Sequence, residues 1–219
     1  MDTFIKKEHY NFIKKCLSDL NTTFKCCTDK NIVETCKLST RDQIFNLFEA
    51  LTEEQITLID INTLQTALDI DSYTKKLDGY VYGMAPITNA QISKLFKKEH
   101  KIKMPDSDAQ DTPHVYLSWI DESIRKLFIV YPINDKLVGM ACRLPNSNSK
   151  NKHICTLCHY VGDETEVACV SPVCKATSSD AGAYRSISFD VCLDSKKCND
   201  RITSAEKLEN LLKDVCQIK

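Results

Sequence analysis

The chain has 219 residues, of which 42% are hydrophobic and 27% are charged, and its formal net charge is −1. These values are ordinary for a soluble globular protein of one large or two small domains. The near-neutral charge disfavours a general nucleic-acid-binding protein, which usually carries an excess of Lys and Arg. No stretch approaches the roughly 18 consecutive apolar residues that a membrane span requires.

The start of the chain lacks the apolar run of a signal peptide, so we expect a cytoplasmic protein. Thiols stay reduced in that compartment, and the 12 cysteines therefore do not indicate a disulfide framework. We expect some of them to bind a metal ion and the others to be small buried side chains.

The first half of the chain, residues 1–104, is predicted to form an antiparallel helical bundle. Its apolar residues recur at steps of three, four and seven, first over residues 5–24, and glycine is rare. Ser39 is predicted to cap the second helix. Capping boxes predict two further helix starts, at Thr52 with Gln55 and at Thr88 with Gln91. The acidic residues of this half are scattered and do not form a recognisable catalytic group.

Composition changes after residue 104. Residues 105–113 are polar and contain two prolines, which indicates a linker or a long loop. Strand-like runs follow at residues 115–120, 126–131 and 137–144, and their short connections favour an antiparallel meander. We therefore predict an α+β protein in which residues 105–219 form a second domain with antiparallel strands.

Two cysteine pairs in this domain predict a metal site. Two residues separate Cys155 from Cys158, and five separate Cys192 from Cys198. Two close pairs joined by a loop are typical of a tetrahedral zinc site with four thiolate ligands. A knuckle-like turn, a hairpin and a last pair between a strand and a helix describe a treble-clef zinc finger. A capping box at Thr203-Ser-Ala-Glu206 is predicted to open that helix.

A site closed by four thiolates has no position for water or substrate, so we expect one structural zinc ion and no enzyme activity. A competing ligand set exists, because Cys169 and Cys174 form a third close pair. The C-terminal pair is preferred, since a turn from strand to helix aims two thiolates at one point. His153 and His159 flank the first pair and could replace a cysteine, although such a histidine is more often a neighbour.

Two other functional classes are considered. The zinc module could bind ribosomal RNA directly, but phosphate recognition needs clustered Lys and Arg, which the near-neutral charge does not favour. The motif Cys155-Thr-Leu-Cys158 could instead act in thiol redox chemistry. That function needs a strand before the motif and a helix after it, and the residues after Cys158 do not predict a helix.

The order of these features resembles the elongation factor G-binding proteins of the FusB type, which give resistance to fusidic acid; some relatives are labelled fibronectin-binding. The resemblance is carried by the stretches at residues 94–105, 118–119 and 125–131, and by Cys155-Thr-Leu-Cys158. Its most specific part is Cys192-Leu-Asp-Ser-Lys-Lys-Cys198-Asn199.

The resemblance implies an N-terminal helical bundle and a C-terminal domain with a zinc finger. In this family the zinc domain binds the C-terminal part of elongation factor G. Binding frees the factor from ribosomes on which fusidic acid has trapped it, so the ribosome is an indirect partner. The implied zinc ligands are Cys155, Cys158, Cys192 and Cys198.

Two stretches depart from the family pattern. Ile154 replaces an aromatic residue before the first ligand, and residues 187–190 replace a Lys-Gly-Asp-Tyr-like stretch before the third, which changes Lys to Ile187 and Tyr to Asp190. No heptad seam predicts a coiled coil, so we expect a monomer. The residues expected to be exposed around the finger and to contact the factor are Tyr184, Arg185, Phe189, Lys196 and Lys197.

Overall fold

The computed structural model describes residues 2–99, 101–106, 110–146, 151–173 and 187–218. The chain divides into two compact units, Met1–Tyr82 and Gly83–Lys219. This division lies earlier in the chain than the boundary at 104/105 that composition predicted. The reason is that the fifth helix packs against the sheet of the second unit, so the polar stretch after residue 104 is a loop inside that unit.

The described residues contain helices and strands in both units, and none of these helices is long and apolar enough to cross a bilayer. The helices are α1 (Lys7–Cys26), α2 (Lys30–Phe45), α3 (Glu53–Ile59), α4 (Ala67–Asp78), α5 (Asn89–Leu95), α6 (Ser195–Asn199) and α7 (Glu206–Cys216). The strands are β1 (Ile5–Lys6), β2 (Val81–Tyr82), β3 (Leu117–Asp121), β4 (Lys126–Ile133), β5 (Lys136–Arg143), β6 (Lys152–Ile154), β7 (Val161–Asp163), β8 (Val167–Pro172) and β9 (Phe189–Cys192).

The first unit is a helical bundle built around α1. The buried face of α1 includes Ile13, Leu17 and Leu20, and it shares one hydrophobic core with Ile70 and Leu77 of α4. These residues recur at helical spacing, which is why one continuous apolar stripe forms. The short strands β1 and β2 pair in parallel beside this core.

The second helix begins earlier than the sequence predicted. Asp29 caps α2 by accepting hydrogen bonds from the backbone N–H groups of Asn31 and Ile32, whereas Ser39 lies inside the helix. The prediction was wrong because the buried face of α2 is partly polar. Lys37 and Thr40 are buried there, so the helix lacks the continuous apolar stripe that would indicate its extent.

The predicted capping boxes at Thr52 and Thr88 are confirmed. In each, the threonine side chain accepts from the N3 backbone N–H, while the N3 glutamine accepts from the backbone N–H of the cap. A third box opens α4, where Thr66 pairs in the same way with Asp69. The pKa of Asp69 is lowered, first by the Gln65 backbone N–H and then by Thr66, because both donate to the carboxylate.

The second unit contains the predicted meander. Strands β3, β4 and β5 are antiparallel neighbours in a five-stranded sheet of order β3-β4-β5-β8-β9. Both faces of the sheet are covered, which explains the continuous apolar run of β4. Leu127 and Ile129 face the core that contains α7, while Phe128 and Val130 face the core that contains α5.

An aromatic cluster fixes α5 to the sheet. The ring of Phe96 lies 4.8 Å from that of Phe128 and 5.9 Å from that of Trp119, edge to face in both pairs. Trp119 stacks on Phe128 at 5.1 Å. Gly139 on β5 leaves room for this contact, because a Cβ atom there would lie 2.7 Å from the Phe96 ring.

We expect Gly139→Ala to lower the free energy of unfolding of the second unit by about 1–3 kcal/mol, because the methyl group overpacks this core. Trp119 is the only tryptophan, so its fluorescence in a urea titration reports on the unit directly. Gly79→Ala is the control, since nothing lies within 4 Å of the added Cβ. The control should leave the tryptophan transition unchanged; an equally unchanged transition in Gly139→Ala would contradict the packing argument.

Candidate metal centre

Four cysteine thiols converge in the second unit: those of Cys155, Cys158, Cys192 and Cys198, with all four sulfur atoms within 4.8 Å of one another. The Sγ atoms of Cys155 and Cys198 are 3.9 Å apart, and those of Cys158 and Cys192 are 3.6 Å apart. Sulfurs about 2.3 Å from a tetrahedral zinc ion lie about 3.8 Å from one another. The spacing therefore fits one zinc ion.

A β-hairpin positions the first pair. Strands β6 and β7 are antiparallel, and the connection between them carries Cys155 and Cys158. The Cys155 N–H donates to the Tyr160 carbonyl at 2.9 Å, and the His159 N–H donates to the Cys155 carbonyl at 2.9 Å, which closes the turn. His159 has a φ of 59°, in the left-handed region that tight turns use and that His tolerates better than most residues.

The second pair lies at the turn from β9 to α6. Cys192 ends the strand, and Asp194 begins the helix by accepting from the Lys197 N–H at 3.1 Å. This short helix turns the chain back so that the Cys198 sulfur meets the other three. The longer α7 follows, but it begins after Ala205 without a side-chain cap.

The capping box predicted at Thr203-Ser-Ala-Glu206 does not form. Instead, the Glu206 N–H donates to the Ser204 hydroxyl at 3.3 Å. Tertiary packing positions α7 in place of a cap, because its apolar face, with Leu208 and Leu212, is fully buried in the core that contains the cysteines.

Proximity of the thiols shifts their acidities in opposite directions. The pKa of Cys155 is lowered because Cys158, Cys192 and Cys198 donate hydrogen bonds to its thiolate. The pKa values of Cys192 and Cys198 are raised, first because each thiol donates to Cys155. A bound divalent cation would hold all four residues as thiolates, since coordinated thiols are deprotonated.

The other candidate ligands lie outside this group. Cys169 sits on β8 opposite Asp190 of β9, and burial is the first cause that raises its pKa. Cys174 lies outside the described residues. His153 is engaged elsewhere, because its Nδ1 atom is 3.2 Å from the Asp190 carboxylate, and the His159 side chain is exposed.

The residues expected to contact a partner differ in their surroundings. Lys196 and Lys197 are exposed on α6. Phe189 is not exposed as expected: it is 8% exposed and packs in the hydrophobic core, because alternate residues of β9 face inward. Tyr184 and Arg185 lie outside the described residues.

An exposed apolar pair on the hairpin was not predicted. Ile154 and Val161 are directly paired across β6 and β7, and they are 57% and 50% exposed. The sequence singled out Ile154, but the register that places Val161 beside it depends on the turn geometry. This hairpin also lacks the helix that a thioredoxin-like motif requires, since residues 155–160 form a turn and then enter β7.

Comparison with known proteins identifies relatives of both units. A family model described as "Elongation factor G-binding protein, N-terminal" matches residues 4–85, and one described as "FBP C-terminal treble-clef zinc-finger" matches residues 89–215. A search of curated proteins found no match. The fold is similar to that of a solved structure, the fusidic acid resistance protein FusC, with a TM-score of 0.77 and 24% identity over 98% of this chain and 100% of that chain.

We expect the purified protein to contain about one zinc ion per chain, measured by elemental analysis. Cys198→Ser should lose the ion, because a hydroxyl is a poor replacement for a buried thiolate ligand. Cys169→Ser is the matched control and should keep it, since Cys169 lies outside the group of four. Loss of zinc in Cys169→Ser would instead support the competing ligand set.

Proposed function

The chain belongs to the elongation factor G-binding protein family, and from this premise we propose that it is a non-enzymatic zinc protein that binds elongation factor G and promotes its release from the ribosome. It would act as a monomer and contact the C-terminal part of the factor. The observation that carries the proposal is the group of four thiols that the turn of hairpin β6–β7 forms together with β9 and α6.

The proposed role of the metal is structural. Four thiolates would fill the coordination sphere of one zinc ion, which leaves no open position for a substrate or for activated water. The ion would fix the hairpin relative to β9 and α6, because each of these elements supplies ligands. A rigid hairpin presents its outer side chains in one arrangement, which reduces the entropy lost on binding.

The proposed contact surface has an apolar centre and a charged rim. Ile154 and Val161 expose two adjacent apolar side chains, and Lys196 and Lys197 are exposed on α6 of the same finger. Interfaces commonly combine an apolar centre with a polar rim, and the centre supplies most of the affinity. Tyr184 and Arg185 remain predicted contacts in the segment between β8 and β9.

The proposed mechanism is differential binding without covalent chemistry. A protein that prefers the conformation in which the factor leaves the ribosome shifts the equilibrium toward release. A preference of about 1.4 kcal/mol for that conformation changes the population ratio tenfold. Translation would thereby be protected from fusidic acid, which holds the factor on the ribosome.

Release can be tested on ribosomes that carry elongation factor G, GDP and fusidic acid. We expect addition of the purified protein to move the factor from the ribosome pellet to the supernatant after centrifugation. The zinc-free Cys198→Ser protein is the control and should leave the factor in the pellet. If the zinc-loaded protein binds the free factor but leaves the pellet unchanged, the release step is refuted.

We expect Ile154→Asp to abolish co-elution with elongation factor G in size-exclusion chromatography, because a carboxylate at the centre of the interface is desolvated without a partner. Leu68→Asp is the matched control: Leu68 is 77% exposed on α4, so the same change of chemistry falls on the helical unit. Zinc content and Trp119 fluorescence verify that Ile154→Asp is folded, and the helical signal in circular dichroism verifies that Leu68→Asp is folded. If Ile154→Asp still co-elutes with elongation factor G, the hairpin is not part of the interface.

A further inference from the structure

Asn199, the residue after Cys198, forms hydrogen bonds with the backbone of residues 115–116. The Asn199 side-chain oxygen accepts from the backbone N–H groups of Val115 at 2.6 Å and Tyr116 at 3.1 Å. Its side-chain amide donates to the Tyr116 carbonyl at 3.0 Å and to the Ser195 carbonyl at 2.9 Å. Both backbone groups of Tyr116 are therefore fixed relative to Cys198.

A second hydrogen bond, at the other end of α6, connects this helix to the same segment. The Ser195 hydroxyl donates to the Ser118 carbonyl at 3.0 Å. The motif Cys192-Leu-Asp-Ser-Lys-Lys-Cys198-Asn199 thus does more than supply two thiols. It attaches α6 to residues 115–118 through Ser195 and Asn199, and these contacts set the position of the Tyr116 ring.

Tyr116, whose backbone is held by Asn199, has a buried hydroxyl without a hydrogen-bond partner among the described residues. Tyr116 is 1% exposed and belongs to the same hydrophobic core as Cys155, Cys192 and Cys198. A buried phenol normally finds an acceptor, so an unpaired one in the same core as three of the thiols requires an explanation.

We propose that the Tyr116 hydroxyl donates a hydrogen bond to the Cys198 sulfur when that sulfur is a zinc-bound thiolate, and so positions and stabilises the fourth ligand. The inference rests on the zinc centre of the proposed function and extends it to a residue outside the ligand set. A thiolate is a stronger acceptor than a thiol, which is why the hydroxyl gains its partner together with the metal.

The charge of the centre gives the physical reason. Four thiolates and one Zn²⁺ carry a net charge of −2, and three of the four cysteines are buried. Such a charge is stabilised by donors that point at the sulfurs, and groups outside the ligand set commonly tune a metal site in this way. A phenol hydroxyl is a hydrogen-bond donor at neutral pH, and Asn199 holds the backbone of Tyr116 next to Cys198.

The test compares Tyr116→Phe with Tyr131→Phe in zinc-loaded protein. Tyr131 is a matched control, because its hydroxyl donates to Glu209 at 3.2 Å, outside the thiol group. We expect Tyr116→Phe to lose zinc about tenfold faster to the chelator 4-(2-pyridylazo)resorcinol, in the range typical of lost groups around a ligand. Tyr131→Phe should lose zinc at the wild-type rate.

Cobalt-substituted protein gives a readout that is independent of stability. Removal of a hydrogen bond raises the energy of the sulfur lone pair, so the sulfur-to-cobalt charge-transfer band should move to longer wavelength in Tyr116→Phe and not in Tyr131→Phe. An unchanged rate of zinc release together with an unchanged band would overturn the proposal. Slower zinc release would also overturn it, because that result is expected if the buried hydroxyl has no partner even when zinc is bound.

Complex formation with elongation factor G is measured separately on the same samples. A wild-type protein that binds zinc but not the factor would refute the proposed function and leave the comparison of the two tyrosine variants intact. A wild-type protein without zinc would refute the metal centre and this inference together. The two failures are therefore distinguishable.

Discussion

The central constraint on the second unit is that four sulfur atoms lie within 4.8 Å of one another. These sulfurs come from a hairpin, a strand end and a short helix that are distant in sequence, and three of the four belong to the main hydrophobic core. Apparent binding free energies of structural zinc sites are about 10–16 kcal/mol, comparable with the whole stability of a domain. Binding of zinc at this site would therefore be coupled to the packing of the core that α7 shares with three of the cysteines.

The spacing of the cysteines is the part of the site that sequence could predict. Two close pairs limit the possible geometries, because a turn of two intervening residues can direct both side chains to the same side. The side chains around the pairs are determined by tertiary contacts. The burial of Phe189 follows from the pairing of β8 with β9, and the pairing of Ile154 with Val161 follows from the register of the hairpin.

The fold shows the same division between local and tertiary information. Capping boxes are local hydrogen-bond patterns, so Thr52 and Thr88 could be identified from four residues each. The start of α2 and the start of α7 could not, because buried polar residues in the first case and core packing in the second replace the expected local signal. Composition likewise separated helical from strand-rich sequence, but α5 belongs to the sheet that it covers.

The unequal burial of the four thiols has a chemical consequence. Cys158 is half-buried, whereas Cys155, Cys192 and Cys198 are buried. Electrophiles and peroxides react with the thiolates that they can reach, so attack on the centre would begin at a single sulfur. In the zinc-loaded finger, Cys158 would therefore be the first ligand to be oxidised, and loss of its bond to the metal would expose the three inner sulfurs.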